Sequence, residues 1–275
     1  MNYLNRRHTT NLLSRWFGHF AATAFPGPFQ KLINYGYVKL MGLDMREFDT
    51  PSSYPTLAAL FTRALKTPRS VEGGKKSIVS PCDARITACG KIEGETLFQI
   101  KGMPYSFKQL VKGINDKTVQ ALENGVYANF YLSPKDYHRY HAPCDLKVLR
   151  RIHIPGKLYP VNFPYLRKKQ ELFLQNERVV LECVDSAGKP LVLVYVGALN
   201  VGQMVFTFSP DAPTNTVAGK PMEFGYDQLQ IAKGELMGWF NMGSTIVLLA
   251  PKEVQLEVAA GDLVRFGEKI GKLPA

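Results

Sequence analysis

The chain is poor in the residues that would assign it to several common classes. Only four cysteines occur in 275 residues, at positions 82, 89, 144 and 183. None form a Cys-x-x-Cys pair, so neither a zinc ribbon nor a disulfide framework is indicated, and free thiols in a reducing compartment are expected. No apolar run reaches the ~18 residues that a membrane-spanning helix needs. There is no long Lys/Arg block, no nucleic-acid-binding motif and no Gly-x-Ser-x-Gly elbow. Acidic residues are missing from the front of the chain, where the first is Asp44.

What remains describes a globular protein with a basic balance. Hydrophobic residues make up 45% and charged residues 21%, enough to build the core of one large or two small domains. Lysine and arginine exceed aspartate and glutamate by 34 to 23, a formal charge of +11. That favours an anionic partner, and without a nucleic-acid motif an acidic lipid or phosphorylated ligand is preferred to nucleic acid. Before Asp44, Arg6, Arg7, Arg15, Lys31 and Lys39 are interleaved with Leu12, Leu13, Trp16, Phe17, Phe20, Phe25 and Phe29. Basic charge with Trp and Phe on a helix suits the interface of an anionic bilayer. A cleaved targeting peptide or a basic helix packed on its own core would share this composition, although Arg15 and His19 interrupt a signal-peptide core.

Leu32, Ile33, Gly36, Tyr37, Leu40 and Met41 keep helical spacing, as do Leu57, Leu60, Phe61, Ala64 and Leu65. Pro, Gly and Lys then concentrate over 68–76, the preferred boundary between an amino-terminal helical region, 1–70, and a body, 71–275. Strands are expected at Ser77–Val79, Ala84–Cys89, Thr96–Ile100, Val126–Leu132, Arg178–Val184, Leu191–Val196, Val201–Phe208 and Thr245–Leu249, with short helices at Ser106–Val111 and Thr118–Glu123. The fold class is therefore α+β: a β-rich body behind amino-terminal amphipathic helices. The glycine-punctuated stretch Ala260–Gly271 resembles half of a barrel-sandwich hybrid, with Ser80–Ile86 as a partner strand; that is a likeness of fold alone.

Two stretches carry chemistry. In Met237-Gly238-Trp239-Phe240-Asn241-Met242-Gly243-Ser244-Thr245, a serine follows a glycine at the mouth of an apolar strand. Without a Cβ, Gly243 can take strained angles and expose its carbonyl to the Ser244 hydroxyl, the start of an N→O acyl shift. The plain alternative is a turn into a core strand. The second stretch, Leu132-Ser133-Pro134-Lys135-Asp136-Tyr137-His138-Arg139-Tyr140-His141-Ala142-Pro143, holds two of the five histidines between prolines. Histidine is the usual proton carrier near neutral pH. His-x-x-His also permits a metal, but no third ligand stands nearby in sequence, and no metal is expected. Asp83 could orient an imidazole, and Asp83, His141 and Ser244 could form a carboxylate–imidazole–hydroxyl relay.

These pieces, taken together, resemble the prokaryotic pyruvoyl-dependent phosphatidylserine decarboxylases over nearly the whole chain. The matching stretches are Phe61-Thr62-Arg63-Ala64-Leu65-Lys66, Ser80-Pro81-Cys82-Asp83, Leu132 through Pro143, Asn176-Glu177-Arg178-Val179, Val196-Gly197-Ala198 with Val201-Gly202, and Met237-Gly238 leading to Gly243-Ser244-Thr245. The resemblance implies self-cleavage between Gly243 and Ser244 into a β chain, 1–243, and an α chain, 244–275, which stay together as a heterodimer. Asp83 and His141 would serve that step, and Ser244 would become the pyruvoyl cofactor that takes the amine of phosphatidylserine as a Schiff base. His138 would give a proton to the carbanion left by CO2, releasing phosphatidylethanolamine. The expected location is peripheral, on the anionic cytoplasmic face of the cell membrane; a further oligomer stays open. Three positions depart from the family pattern: Met242 for Leu, Ala84 where Gly is frequent, and Phe163 where some relatives carry His. Two other readings compete: an Asp83–His141–Ser244 hydrolase that stays uncut, and a non-catalytic module that binds acidic lipid.

Overall fold

The computed structural model describes residues 9–100, 103–199, 203–210, 212, 214, 219–241 and 244–274. Its front is helical: α1 (Thr9–Ala22), α2 (Gly27–Met41) and α3 (Leu57–Phe61). A proline in the first turn of α2 forgoes an N–H that would be unpaired anyway, and Gly42 ends the helix at φ 67° with its N–H on the Val38 carbonyl. Gln30 donates to Asn34, whose side-chain amide donates to the carbonyls of Pro51 and Tyr54 at 2.8 and 2.9 Å. These buried amides pin α2 to the turn that leads into α3. Thr56 caps α3 by accepting from the Ala59 N–H, worth about 1 kcal/mol. The helix stops at Phe61, short of the periodic run to Leu65, and Arg63 turns its guanidinium onto the carbonyls of Lys135 and Asp136.

The rest is mainly strands: β1 (Ser77–Val79), β2 (Ala84–Lys91), β3 (Thr96–Ile100), β4 (Met103–Ser106), β5 (Val126–Leu132), β6 (Arg139–His141), β7 (Leu146–Ile154), β8 (Arg178–Asp185), β9 (Pro190–Val196), β10 (Met204–Phe206), β11 (Met222–Ile231), β12 (Leu236–Phe240), β13 (Ser244–Ala250), β14 (Gln255–Leu256), β15 (Leu263–Val264) and β16 (Lys269–Lys272). Short helices α4 (Phe107–Leu110), α5 (Asp116–Leu122), α6 (Phe163–Lys168) and α7 (Leu172–Gln175) lie between them. One eight-stranded antiparallel sheet runs β11–β7–β8–β9–β13–β5–β2–β15; smaller ones are β10–β12–β6 and β1–β16–β14. The protein is thus α+β, as expected.

Both faces of the large sheet are covered. Val192, Val194, Val196, Val247 and Leu249 point to the side that also buries Leu57, Leu60 and Phe61 of α3. Leu191, Leu193, Tyr195, Ile246 and Leu248 point the other way, onto Met237, Phe206 and Phe240. Side chains alternate across a strand, so a strand buried on both faces reads as an unbroken apolar run, which is why β9 and β13 were visible in sequence. β7, β11 and β12 were not foreseen. In β7, Arg150 is paired with Glu182 and Glu223 and His153 Nε2 is bonded to Glu177, while buried Arg151 gives only its Nη2 to the Ala212 carbonyl, so polar residues break up the apolar pattern. The expected strand over Val201–Phe208 covers Met204–Phe206, and Val201 lies outside the described residues. The two stretches read as partners do pair: Leu263 lies opposite Arg85 and Val264 opposite Ala84. All four cysteines are free.

Candidate active site

The backbone frames the site before any side chain does. Ser244, first residue of β13, pairs with Leu132, last residue of β5. On the other side of the 241–244 junction, β12 pairs with β6, with Trp239 opposite Arg139, and the Phe240 N–H donates to the His138 carbonyl at 3.0 Å. The strand entering the junction and the strand leaving it are therefore bonded to the two flanks of the histidine segment. Met242 and Gly243 themselves lie outside the described residues. Gly238 has a steric reason: a Cβ there would sit 1.9 Å from the Val205 carbonyl oxygen and 2.8 Å from the Tyr140 ring. Only glycine lets β12 lie this close to β10.

After Leu132 the chain reverses through a turn held by Asp136, whose Oδ2 accepts from the Ser133 N–H at 2.7 Å. The turn delivers His138 and His141 to opposite surroundings. His141 donates from Nδ1 to the Gly234 carbonyl at 2.9 Å, and its Nε2 meets the Tyr137 hydroxyl at 3.1 Å. A carbonyl can only accept, so Nδ1 carries the proton and Nε2 is a lone pair that accepts from Tyr137. Phe266 stacks on the ring at 3.5 Å and 14°. Burial, with Arg139 and Arg69 adding to it, draws the His141 pKa down to about 4. The imidazole is neutral at pH 7.

Asp83 is gripped at two points by Arg69, at 2.5 and 3.0 Å, and accepts the Phe266 N–H at 2.8 Å. Arg69 is held in turn by Glu47. The structure therefore brings Asp83 and His141 together at Phe266, which offers its N–H to one and its ring to the other, and not into a direct hydrogen bond.

His138 is fully buried. Its Nδ1 donates to the Asp136 carbonyl at 2.8 Å, Nε2 has no partner, and the Phe61 ring lies 4.0 Å away. Burial, followed by the nearby Arg63 charge, lowers its pKa to about 3. In sequence, Arg63 stands within the Phe61–Lys66 match with no chemical task attached; its only signal is a cation at the end of an apolar helical run. Asp136 carries no distinguishing signal in sequence, and burial raises its pKa to about 6.

Ala84 opens β2, is buried, and is not among the described non-glycine residues with positive φ, so the position needs no glycine. Phe163 packs edge-on against Tyr131 at 5.6 Å, and Tyr131 lies opposite Thr245. The Asn176-Glu177-Arg178 motif is structural: Asn176 donates to the Tyr159 and Gly197 carbonyls and Arg178 to those of Gln109 and Leu110. A keto group at Ser244 suits this frame. The residue is fixed by β5, and the segment joined to β5 carries an imidazole nitrogen with no other partner.

A family model described as phosphatidylserine decarboxylase matches residues 57–272. A phosphatidylserine decarboxylase proenzyme of Helicobacter pylori is 45% identical over 267 residues, covering 97% of this chain and 98% of the relative. The proenzyme of the same description from Campylobacter jejuni is 43% identical over 263 residues, covering 94% and 97%. That from Halorhodospira halophila is 37% identical over 272 residues, covering 96% and 90%. Fold, site and relatives together define an enzyme of the carbon–carbon lyase class, a decarboxylase. The chain belongs to the phosphatidylserine decarboxylase family.

Proposed function

We propose that the chain breaks its own backbone between Gly243 and Ser244 and then decarboxylates phosphatidylserine through the keto group left at Ser244. The observation that carries this reading is the double tether of the junction, with β12 on β6 and β13 on β5, at the two flanks of the histidine segment. In the first stage the Ser244 hydroxyl attacks the Gly243 carbonyl, giving an ester. Elimination frees the Gly243 carboxylate, water then enters and ammonia leaves. His141 is the base: a neutral imidazole accepts a proton where an imidazolium cannot. Asp83 acts as a positioning residue, fixing the Phe266 backbone whose ring lies on His141.

Once formed, the keto group supplies the electron sink for loss of CO2, the service that pyridoxal phosphate performs elsewhere. His138 handles the proton. At rest its Nε2 is a lone pair, so before it can donate it must accept, and the substrate ammonium is the source. The same proton returns to the carbon that has lost CO2. The low proton affinity of buried His138 opposes the uptake and favours that return.

The cut need not separate the chains. β13 lies between β9 and β5, and β15 and β16 pair with β2 and β1. Ile246, Val247, Leu248 and Leu249 are fully buried, worth roughly 2 kcal/mol each. An α/β heterodimer held by the sheet follows. The amino-terminal helices supply the contact with an anionic bilayer at the cytoplasmic face. α2 exposes Phe29, Leu32, Leu40 and Met41 beside Lys31 and Lys39, and α1 exposes Trp16. Among the described residues no helix is long and apolar enough to cross a membrane. The test is CO2 release and phosphatidylethanolamine formation from phosphatidylserine vesicles, before and after borohydride treatment of the protein. Activity lost on reduction supports the reading; turnover that survives complete reduction overturns it.

A further inference from the structure

Three buried side chains, His138 among them, carry polar atoms without partners, and two of them come from the amino-terminal helical region. Arg63 is 2% exposed; it spends Nη2 on the Lys135 and Asp136 carbonyls, while Nε and Nη1 have no partner. Tyr37 on α2 is 9% exposed, and its hydroxyl has no partner. His138 adds its free Nε2. Phe61 links two of them: its ring lies 6.5 Å from that of Tyr37 and 4.0 Å from that of His138. Arg63 and His138 share the Asp136 carbonyl as acceptor, and the Arg63 charge acts on both Tyr37 and His138. An orphaned buried polar group is costly, the more so if charged, so a cluster of them asks for a ligand.

The unpartnered atoms are two guanidinium N–H groups, a phenol O–H and one imidazole lone pair. A donor-rich set around an arginine fork matches an oxyanion. An aminophospholipid offers two, its carboxylate and its phosphodiester. A guanidinium on the carboxylate would stabilise charge that must depart as CO2 and would oppose the reaction. The phosphodiester keeps its charge throughout.

We propose that Arg63 and Tyr37 form the subsite for the phosphodiester of the substrate headgroup, so that the amino-terminal helices take part in recognition as well as in surface contact. This rests on the decarboxylase reading. It also couples two events, because an anion on Arg63 offsets the charge that adds to burial in lowering the proton affinity of His138.

The test uses the processed full-length protein. Tyr37→Phe removes a hydroxyl that bonds to nothing in the free protein, so Tm should hold or rise. KM for a short-chain phosphatidylserine should rise about tenfold, the loss of one strong hydrogen bond, with kcat within about twofold. Binding of sn-glycerol 3-phosphate, read by calorimetry, should weaken by the same factor, and inorganic phosphate should bind less tightly than the glycerol ester. Arg63→Lys, which keeps the charge and loses the fork, should raise KM further. An active wild type with KM and glycerol phosphate binding unchanged in Tyr37→Phe overturns the subsite and leaves the decarboxylase reading standing. A wild type that releases no CO2 yet binds glycerol phosphate more tightly than Tyr37→Phe overturns that reading and supports the anion site.

Discussion

His138 and His141 leave one turn and enter two different enclosures. The first is closed in by the amino-terminal helical region, through Phe61 and Arg63; the second by the carboxy-terminal segment, through Phe266, with Gly234 and Tyr137 on its nitrogens. Both rings put Nδ1–H on a carbonyl and both are neutral at pH 7. They differ at Nε2, which is bonded to a hydroxyl in His141 and bare in His138. Residue type and tautomer therefore do not distinguish the two proposed roles; the enclosing segment does. The ring packed on residues that the proposed cut would place in the α chain suits that cut. The ring with a free nitrogen suits the substrate that arrives later.

The largest effect that could break this comparison comes from Ser244→Ala. It should leave a single intact band on denaturing electrophoresis and release no CO2; normal processing would remove the nucleophile from Ser244. Next in size is the pair of imidazoles. His141→Ala should slow cleavage at least about 100-fold, whereas His138→Ala should cleave at the normal rate and turn over at least about 100-fold more slowly. The opposite pattern would exchange the two roles.

A smaller effect sharpens the electrostatics. With the His141 pKa near 4, the cleavage rate of fresh precursor should stay flat from pH 8 to about pH 5 and fall only near pH 4. Half-loss near the ordinary histidine value of about 6.5 would mean that the ring is not buried as described. Stability follows the same sign. Unfolded histidines take up protons below about 6.5 while His138 and His141 do not, so their contribution is whole above that pH and is lost as pH falls toward the folded values. Raised Asp136 works oppositely, favouring the fold below its own value near 6. His138→Gln should therefore flatten the acid side of the Tm profile. The smallest effect is expected from Tyr137→Phe, which removes the hydroxyl on His141: cleavage two- to fivefold slower and stability lower by about 1 kcal/mol.

Much of the frame was legible in the sequence because its strands are buried on both faces. Leu191–Val196 announces itself as an unbroken apolar run, and Val126–Leu132 as one interrupted only by Asn129. Met222–Ile231 did not, since an edge strand that alternates Glu223 and Asp227 with Phe224 and Tyr226 looks half polar. The site residues were legible as a set through their resemblance to one family, but not their contacts. Asp83 could be read as a partner for an imidazole; nothing local says that Arg69 would take both of its oxygens. Arg63 was hidden for a similar reason, since its role depends on a carbonyl in the distant histidine turn and on the ring of Phe61 beside it.

An intact-mass measurement on freshly purified protein goes to the centre of all this. Two chains are expected, 1–243 ending in a free carboxylate and 244–275 beginning with a keto acid in place of serine. One chain of full mass that still converts phosphatidylserine at full rate would contradict self-cleavage and, with it, the origin assigned to the electron sink.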